Sequence, residues 1–316
     1  MNFTYGVLVA TRNRPESLSK LLKSLEVSSI RPTQVVVASS GKQIKDVIEQ
    51  FASKLNITHI HIAGKGQIRQ KMAGIGLLLP TLSWVAFLDD DVILDANAIE
   101  NMFHTISNYP NSANLVGVGF SASNWKQDSV SLVNKIFSSF FGVSTRREGA
   151  VMRNGQNNNY MNSKTMLRTS WLNGASMWRK TLADTYEIPF LDASYSVCED
   201  LIFSYQQSKK GMLLYNPASS FAFQDISQPP QLDIVMFSAL TYWRMYFVLT
   251  NEELSINLYL WAQIGRTLQF AINANGNFKE RFIVRKQAFS ILFDVFALTI
   301  KKVAPIQILK LRQSNT

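Results

Sequence analysis

From residue 5 to residue 94, short β-branched runs alternate with amphipathic stretches, and this alternation leaves few folds open. Strand and helix in regular succession are the pattern of βαβ units that feed a mostly parallel sheet. Gly6–Ala10 reads as a first strand. Leu18, Leu21, Leu22 and Leu25 then recur at helical spacing over Ser17 to Leu25, with Pro15 and Glu16 where a helix start would put them. Gln34–Ala38 predicts a second strand, Gln43 to Leu55 a second helix, Ile57–Ile62 a third strand, Gln67 to Leu79 a third helix, and Trp84–Leu88 a fourth strand. The fold class expected is α/β, Rossmann-like, with flanking helices on a mostly parallel sheet and a helical, basic region at the C-terminus.

The fourth strand runs into Asp89-Asp90-Asp91. Three carboxylates at the end of an apolar strand repel one another and gain nothing for the fold. A divalent cation would relieve the repulsion, although a solvated acidic turn accounts for the residues too. On an extended backbone Asp89 and Asp91 face the same way while Asp90 points elsewhere, and hard oxygen ligands of this kind suit Mg²⁺ or Mn²⁺. Ligands of open α/β sheets collect outside the carboxyl ends of the strands, where these acids stand.

A second acidic pair, Glu199-Asp200, follows Tyr195-Ser196-Val197-Cys198 and opens a helical stretch at Leu201–Ser208. Acids in a first turn suit the helix dipole, and one of them beside an electrophile can act as a general base. Met212–Tyr215 predicts a short strand closed by Asn216-Pro217, and the chain reads mostly as helix from Leu232 onward. Ser144 to Ser170 is polar and rich in Asn, including Asn157, Asn158, Asn159 and Asn162, as in a long functional loop. His59 and His61 share one face of a strand, but no third ligand is near in sequence, which favours an ordinary structural pair.

The chain has 316 residues, 47% of them hydrophobic and 17% charged, enough for a self-sufficient core and unlike a disordered chain. Its single cysteine, Cys198, allows no internal disulfide and fits a reducing compartment. No secretion signal is expected at Met1 to Ala10. The closest approach to a spanning segment, the 17 uncharged residues Met72 to Leu88, contains Gly74, Gly76 and Pro80 and does not read as a transmembrane helix. Net charge is +10, and Ser255 to Thr316 carries nine Lys or Arg against two acids. Within that tail, Gln287 to Ile300 is nearly all apolar and is bracketed by Arg285-Lys286 and Lys301-Lys302. This suits a helix lying on an anionic membrane surface, or one packed on the catalytic domain with its lysines solvated. Nucleic acid is not an expected partner, because no basic groove interleaved with aromatics is present.

Together these segments resemble family 2 glycosyltransferases, nucleotide-sugar-dependent enzymes of GT-A fold, over about Tyr5 to Tyr246. Val9-Ala10-Thr11-Arg12-Asn13-Arg14 with Leu18 is similar to the opening "V-x-T-x-N-R…L", and Gly66-Gln67-Ile68-Arg69 with Gly74 to the "G-x-x-x-A-R-N-x-G" helix. Phe87 to Asp91 is similar to the D-x-D strand end. Trp171 to Lys180 is close to "W-L-x-G-x-x-M-x-x-R-R", and Cys198-Glu199-Asp200 with Gly211 and Pro217 to "E-D-x-D…G…P".

The resemblance implies Thr11, Arg12, Asn13 and Arg14 at the nucleotide, Arg69 near the diphosphate, Ser39 toward the base, and Asp89 with Asp90 at the donor. It implies Asp89 and Asp91 at a Mn²⁺ or Mg²⁺ ion, Asp200 as general base with Glu199 beside it, and Trp171 and Gly174 near the acceptor. For Trp171 and Trp178 core packing and acceptor stacking are both open. Two departures stand out. Val37-Ala38-Ser39-Ser40-Gly41 lacks the family's base-reading carboxylate, and Gln224-Asp225 stands where relatives carry a metal-binding His.

The expected protein has a catalytic domain over 1–250 and a helical, membrane-associating region over 251–316, and is cytoplasmic and peripheral on the inner face of the membrane. It is an inverting transferase that moves sugar from a nucleotide-diphosphate donor to a saccharide acceptor, lipid-linked in surface polysaccharide synthesis. The alternatives are a transferase-derived saccharide-binding or scaffold protein, and a nucleotidyltransferase, for which the glycines of a phosphate loop are missing after the first strand.

Overall fold

A computed structural model describes residues 3–125, 131–144, 147–161, 163–189, 197–225 and 233–313, the last three without side chains. Met1, Asn2, Asn162, Tyr195, Ser196, Leu232 and the Arg312 side chain lie outside these. The first half runs β1 (Tyr5–Arg12), α1 (Pro15–Glu26), β2 (Gln34–Ser40), α2 (Lys45–Phe51), β3 (Ile57–His61), α3 (Gln67–Ile75), β4 (Trp84–Asp89), β5 (Val92–Leu94), α4 (Ala98–Asn108) and β6 (Leu115–Ala122). Then follow α5 (Leu132–Phe140), β7 (Leu167–Thr169), β8 (Ser176–Arg179), α6 (Lys180–Ala183), α7 (Glu199–Ser208) and β9 (Met212–Phe223). The chain closes with α8 (Ile234–Leu249), α9 (Ile256–Ile272), α10 (Phe278–Ile300) and α11 (Pro305–Gln313).

Among the described residues the strands form one sheet in the order β3-β2-β1-β4-β8-β6-β9-β5, with β7 paired to β9. The pairs β3-β2, β2-β1 and β1-β4 are parallel. The antiparallel β8 then joins this half to β6, whose pairing with β9 is again parallel. Ala10 pairs with both Ala38 and Asp89, so β1, β2 and β4 end almost level and their following residues share one rim. Beneath the rim Val7, Val9, Leu18, Leu21, Val35, Val37, Trp84 and Leu88 are buried in one core. The helices start where proline and polar residues permit. Pro15, lacking an N–H that the first turn would leave unpaired, opens α1.

The strand expected to close at Asn216-Pro217 instead continues to Phe223. The register with β6 shifts between Gly119 opposite Tyr215 and Ser121 opposite Ser220, so residues 216–219 leave the ladder. Proline, which cannot donate to a ladder, sits within that excursion. The Asn216 amide fills it, donating to Asn101 O, Thr105 Oγ1 and Ser219 Oγ at 3.2, 2.9 and 2.7 Å.

The chain divides into two compact units. Met1–Gln127, Asn159–Phe190 and Glu199–Pro229 make the first, which carries the sheet; Asp128–Asn158, Leu191–Cys198 and Pro230–Thr316 make the second, which carries α5 and α8 to α11. The helical unit therefore takes in more than a tail beginning at residue 251. Its core joins Tyr242, Met245, Val248, Tyr259, Val295 and Ile308. The apolar run Gln287 to Ile300 is the second half of α10, which begins at a capping box between Asn277 and Glu280. No helix of the described residues is long and apolar enough to cross a membrane.

Candidate active site

The site is organised by one face of α3. Gln67, Gln70, Lys71 and Gly74 recur at i, i+3, i+4 and i+7, so four residues that look solvated in the sequence share a side of the helix. That side meets the rim of the sheet. Gln70 Nε2 donates to Thr11 O at 2.6 Å and Ala38 O at 3.0 Å, closing the ends of β1 and β2. A Cβ on Gly74 would collide with Leu8, so glycine is what lets the helix lie this close. Gln67 Nε2 reaches Asp89 Oδ1 at 2.9 Å.

Lys71, 2% exposed at its side chain, lies 2.7 Å from Glu199 Oε1 and 3.3 Å from Asp200 Oδ1. These two acids occupy the first turn of α7, as expected. Ser204, one turn on, donates to Asp200 O and to Leu172 O, which fastens α7 against the segment that leads to Gly174. A Cβ added at Gly174 would fall against Asp89 Oδ2 and lie 3.2 Å from Asp200 Oδ2. Asp89, Gly174, Glu199 and Asp200, far apart in sequence, thus converge.

The protein balances these charges unequally. Burial raises Glu199 to about 7 and Asp89 to about 6, in each case against the pull of Lys71. Burial alone would lower Lys71, but Asp200 and then Glu199 hold it well above the ordinary lysine value. Glu199 is 5% exposed and its Oε2 is buried with no hydrogen-bond partner, whereas Asp200 is 35% exposed. Of the pair, Asp200 is the carboxylate that an incoming group can reach.

A second cluster stands at the ends of β1 and β4. Thr11 Oγ1 donates to Asp90 Oδ2 at 2.7 Å, and Arg14 Nη1 lies 3.1 Å from Asp90 Oδ1 and 3.2 Å from Asp91 Oδ2. Burial raises Asp90 above its ordinary value despite these partners, and Asp90 in turn raises Arg14. The alternation expected to put Asp89 and Asp91 on one face stops at Asp89, where β4 ends; 90 and 91 form a turn. In consequence Asp90 and Asp91 share Arg14, while Asp89 bonds Gln67.

Asn13, at φ +58, accepts from Lys42 N at 2.8 Å and ties the loop after β1 to the loop after β2. Arg12 is exposed at the end of β1. Ser39 is buried between the two histidines, its Oγ 2.8 Å from His59 Nε2 and 3.1 Å from His61 Nδ1. Burial, and then His61, lower the His59 value. Arg69 points to Ala63 O at 3.2 Å; of the two cations on α3, Lys71 is the one among the carboxylates. Half-buried Trp171 packs edge-on against Tyr160. Trp178 is core, 1% exposed, with Nε1 on Ser176 Oγ.

Among the described residues no three His, Cys, Asp or Glu gather into a ready-made metal cage. Gln224 is held by its backbone N on Asp91 O at 2.8 Å and by its amide on Ser17 O, Asp90 O and Val92 O. Its Oε1 is buried without a partner. Asp89, Asp91 and Gln224 offer oxygens of the kind a hard divalent cation takes, although here Asp89 bonds Gln67 and Asp91 pairs with Arg14.

By fold the chain is of the GT-A glycosyltransferase class. It superposes on S. aureus TarS 1-349 with a TM-score of 0.55 at 15% identity, over 94% of this chain and 83% of that one. The same protein in complex with UDP-GlcNAc gives 0.57 at 14%, over 93% and 80%. The mannosyltransferase PcManGT from Pyrobaculum calidifontis, in complex with GDP-Man and Mn²⁺, gives 0.52 at 10%, over 96% and 89%. Comparison with the curated proteins found no match. Glycosyl transferase family 2 matches residues 6–173, more than half of the chain, and the chain belongs to that family.

Lys71, Gln67 and Gln70 escaped the reading of the sequence. The signal that could have found them is the polar stripe of α3, which contains Gly74 at the same helical spacing and so points inward.

Proposed function

We propose that this glycosyltransferase inverts the anomeric centre and that Asp200 is its general base. The acceptor hydroxyl attacks the anomeric carbon, the bond from that carbon to the diphosphate oxygen breaks, and the hydroxyl proton passes to Asp200. The observation that carries this reading is the unequal exposure of the acidic pair, 35% for Asp200 against 5% for Glu199. Lys71 pairs with Asp200 beside a buried neighbour, and Glu199 fixes Lys71. Thr11, Arg12, Asn13 and Arg14 lie along the donor, with Asp89 and Asp90 beneath it, Arg69 toward the diphosphate and Trp171 with Gly174 on the acceptor side. Mn²⁺ or Mg²⁺ at Asp89 and Asp91, with Gln224 as third oxygen, would neutralise charge on the departing diphosphate. General-base catalysis contributes about 10²–10⁴-fold. Asp200→Asn should therefore lose that factor in turnover and keep donor affinity; equal loss of both removes Asp200 from the role.

Ser39 with His59 and His61 takes the place of the missing carboxylate in base reading. A thermal-shift panel of UDP, dTDP, GDP and CDP with and without Mn²⁺, on wild type and Asp91→Ala, identifies the donor. The acceptor we propose is a lipid-linked saccharide at an anionic membrane, in surface polysaccharide assembly on the cytoplasmic face. Support comes from α10, which exposes Phe278, Phe282, Ile283 and Phe293 beside its Lys and Arg residues. Flotation with anionic vesicles should carry the full-length chain, and Phe278→Ser/Phe282→Ser should weaken it; a wild-type chain left at the bottom of the gradient excludes the membrane half.

A further inference from the structure

The helical unit holds two arginines whose charges are not balanced. Arg244 of α8 is 7% exposed, and its guanidinium donates to Gly155 O at 2.8 Å and to Asn157 Oδ1 at 3.1 Å. Arg266 of α9, partly accessible, donates to Gln156 Oε1 at 2.9 Å. Both cations are thus fastened to three consecutive residues, and every one of those acceptors is neutral. Among the described residues neither arginine forms a salt bridge. Beyond these, the Cys198 sulfur lies 4.0 Å from Arg244 Nη2 and the Tyr259 phenol stands close to both arginines, and neither supplies a carboxylate.

Burial, and next the nearby Arg244, push Arg266 down to about 10, far below an ordinary arginine. Desolvated charges are normally paired, and the same protein supplies two carboxylates to its buried Lys71. Two donors at the arginine pair are also unused. Arg244 Nε and Gln156 Nε2 are buried without a partner.

We propose that Arg244 and Arg266, with Gln156, form a binding site for a phosphate or diphosphate group within the helical unit. A phosphate group supplies the missing negative charge and enough oxygens for two planar guanidinium forks and the unused N–H groups. The partial accessibility of Arg266 gives such a group a route in. The proposal does not depend on the assignment of donor or base.

The test is thermal unfolding of the full chain, with chelator and without divalent cation, at constant ionic strength. One arm titrates inorganic pyrophosphate and the other farnesyl diphosphate. We expect a saturable rise in Tm for wild type. In Arg266→Gln the half-saturating concentration should increase at least tenfold, while in phosphate-free buffer this variant should melt no lower than wild type, because a repulsion has been removed. Arg244→Lys, which retains the charge but loses the fork, serves as the second variant and should also weaken the response. Tighter binding of farnesyl diphosphate assigns the site to a lipid-linked diphosphate, and equal binding assigns it to a soluble one. No rise in wild type with either probe, or a rise that survives in both variants, overturns the proposal.

Discussion

The Lys71 ammonium lies 2.7 Å from the Glu199 carboxylate, a bond between side chains 128 residues apart. It joins α3 to α7 at the sheet rim and makes the carboxylate cluster tolerable in a buried place. Removing one partner of a buried pair leaves the others uncompensated, at a cost of about 3–5 kcal/mol. Lys71→Met should therefore lower unfolding free energy by about that amount and abolish transfer, whereas Lys71→Arg should recover part of both. Denaturant unfolding and a transfer assay check this; a stable, active Lys71→Met would mean that the carboxylates do not need the ammonium.

Gly174 is held small by its neighbours. Because an added Cβ would meet Asp89 Oδ2 and Asp200 Oδ2, Gly174→Ala should push these oxygens apart. Overpacking of this kind costs about 1–3 kcal/mol. Activity should fall much more than stability does, which paired melting and transfer assays would resolve.

Glu199 makes stability depend on pH. Its folded value of about 7 lies above the ordinary value of 4.5, so the neutral acid is the form the fold prefers. Its stabilising contribution is complete below 4.5 and is lost as pH rises through about 7. In metal-free buffer the Tm of Glu199→Gln should decline less over this window than that of wild type. Parallel declines would show that Glu199 titrates normally.

Gln224 Oε1 is buried without a partner, which leaves it free to serve as the third metal oxygen we propose. Gln224→His should lower the Mn²⁺ concentration that half-saturates activity, and Gln224→Ala should raise it several-fold. A Mn²⁺ titration of both variants decides the matter, and identical curves would exclude residue 224 from the metal shell.

Much of the first unit was legible in the sequence because its signals are local. The leucine spacing of α1, the β-branched runs of β1 and β2, and the acids at the end of β4 and the start of α7 each lie within a dozen residues. Asn216-Pro217 misled for a local reason too: a proline normally ends a strand, and here the strand absorbs it in a register shift that only pairing with β6 reveals. The polar Asn-rich segment concealed its use in the same way. Asn154 bonds Gly142 O and Asn157 holds Arg244, contacts between distant parts of the chain.

What the sequence by itself determined is the order of βαβ units and the identity of the acids at their ends, since periodicity and side-chain chemistry are properties of short segments. Tertiary structure decided the partners. A lysine and two glutamines on α3 gain their partners only when the helix lies on the sheet, and two arginines meet residues 155–157 only once α8 and α9 are in place. Burial and charge compensation depend on which distant groups share a small volume, and that quantity exists only once the chain has folded.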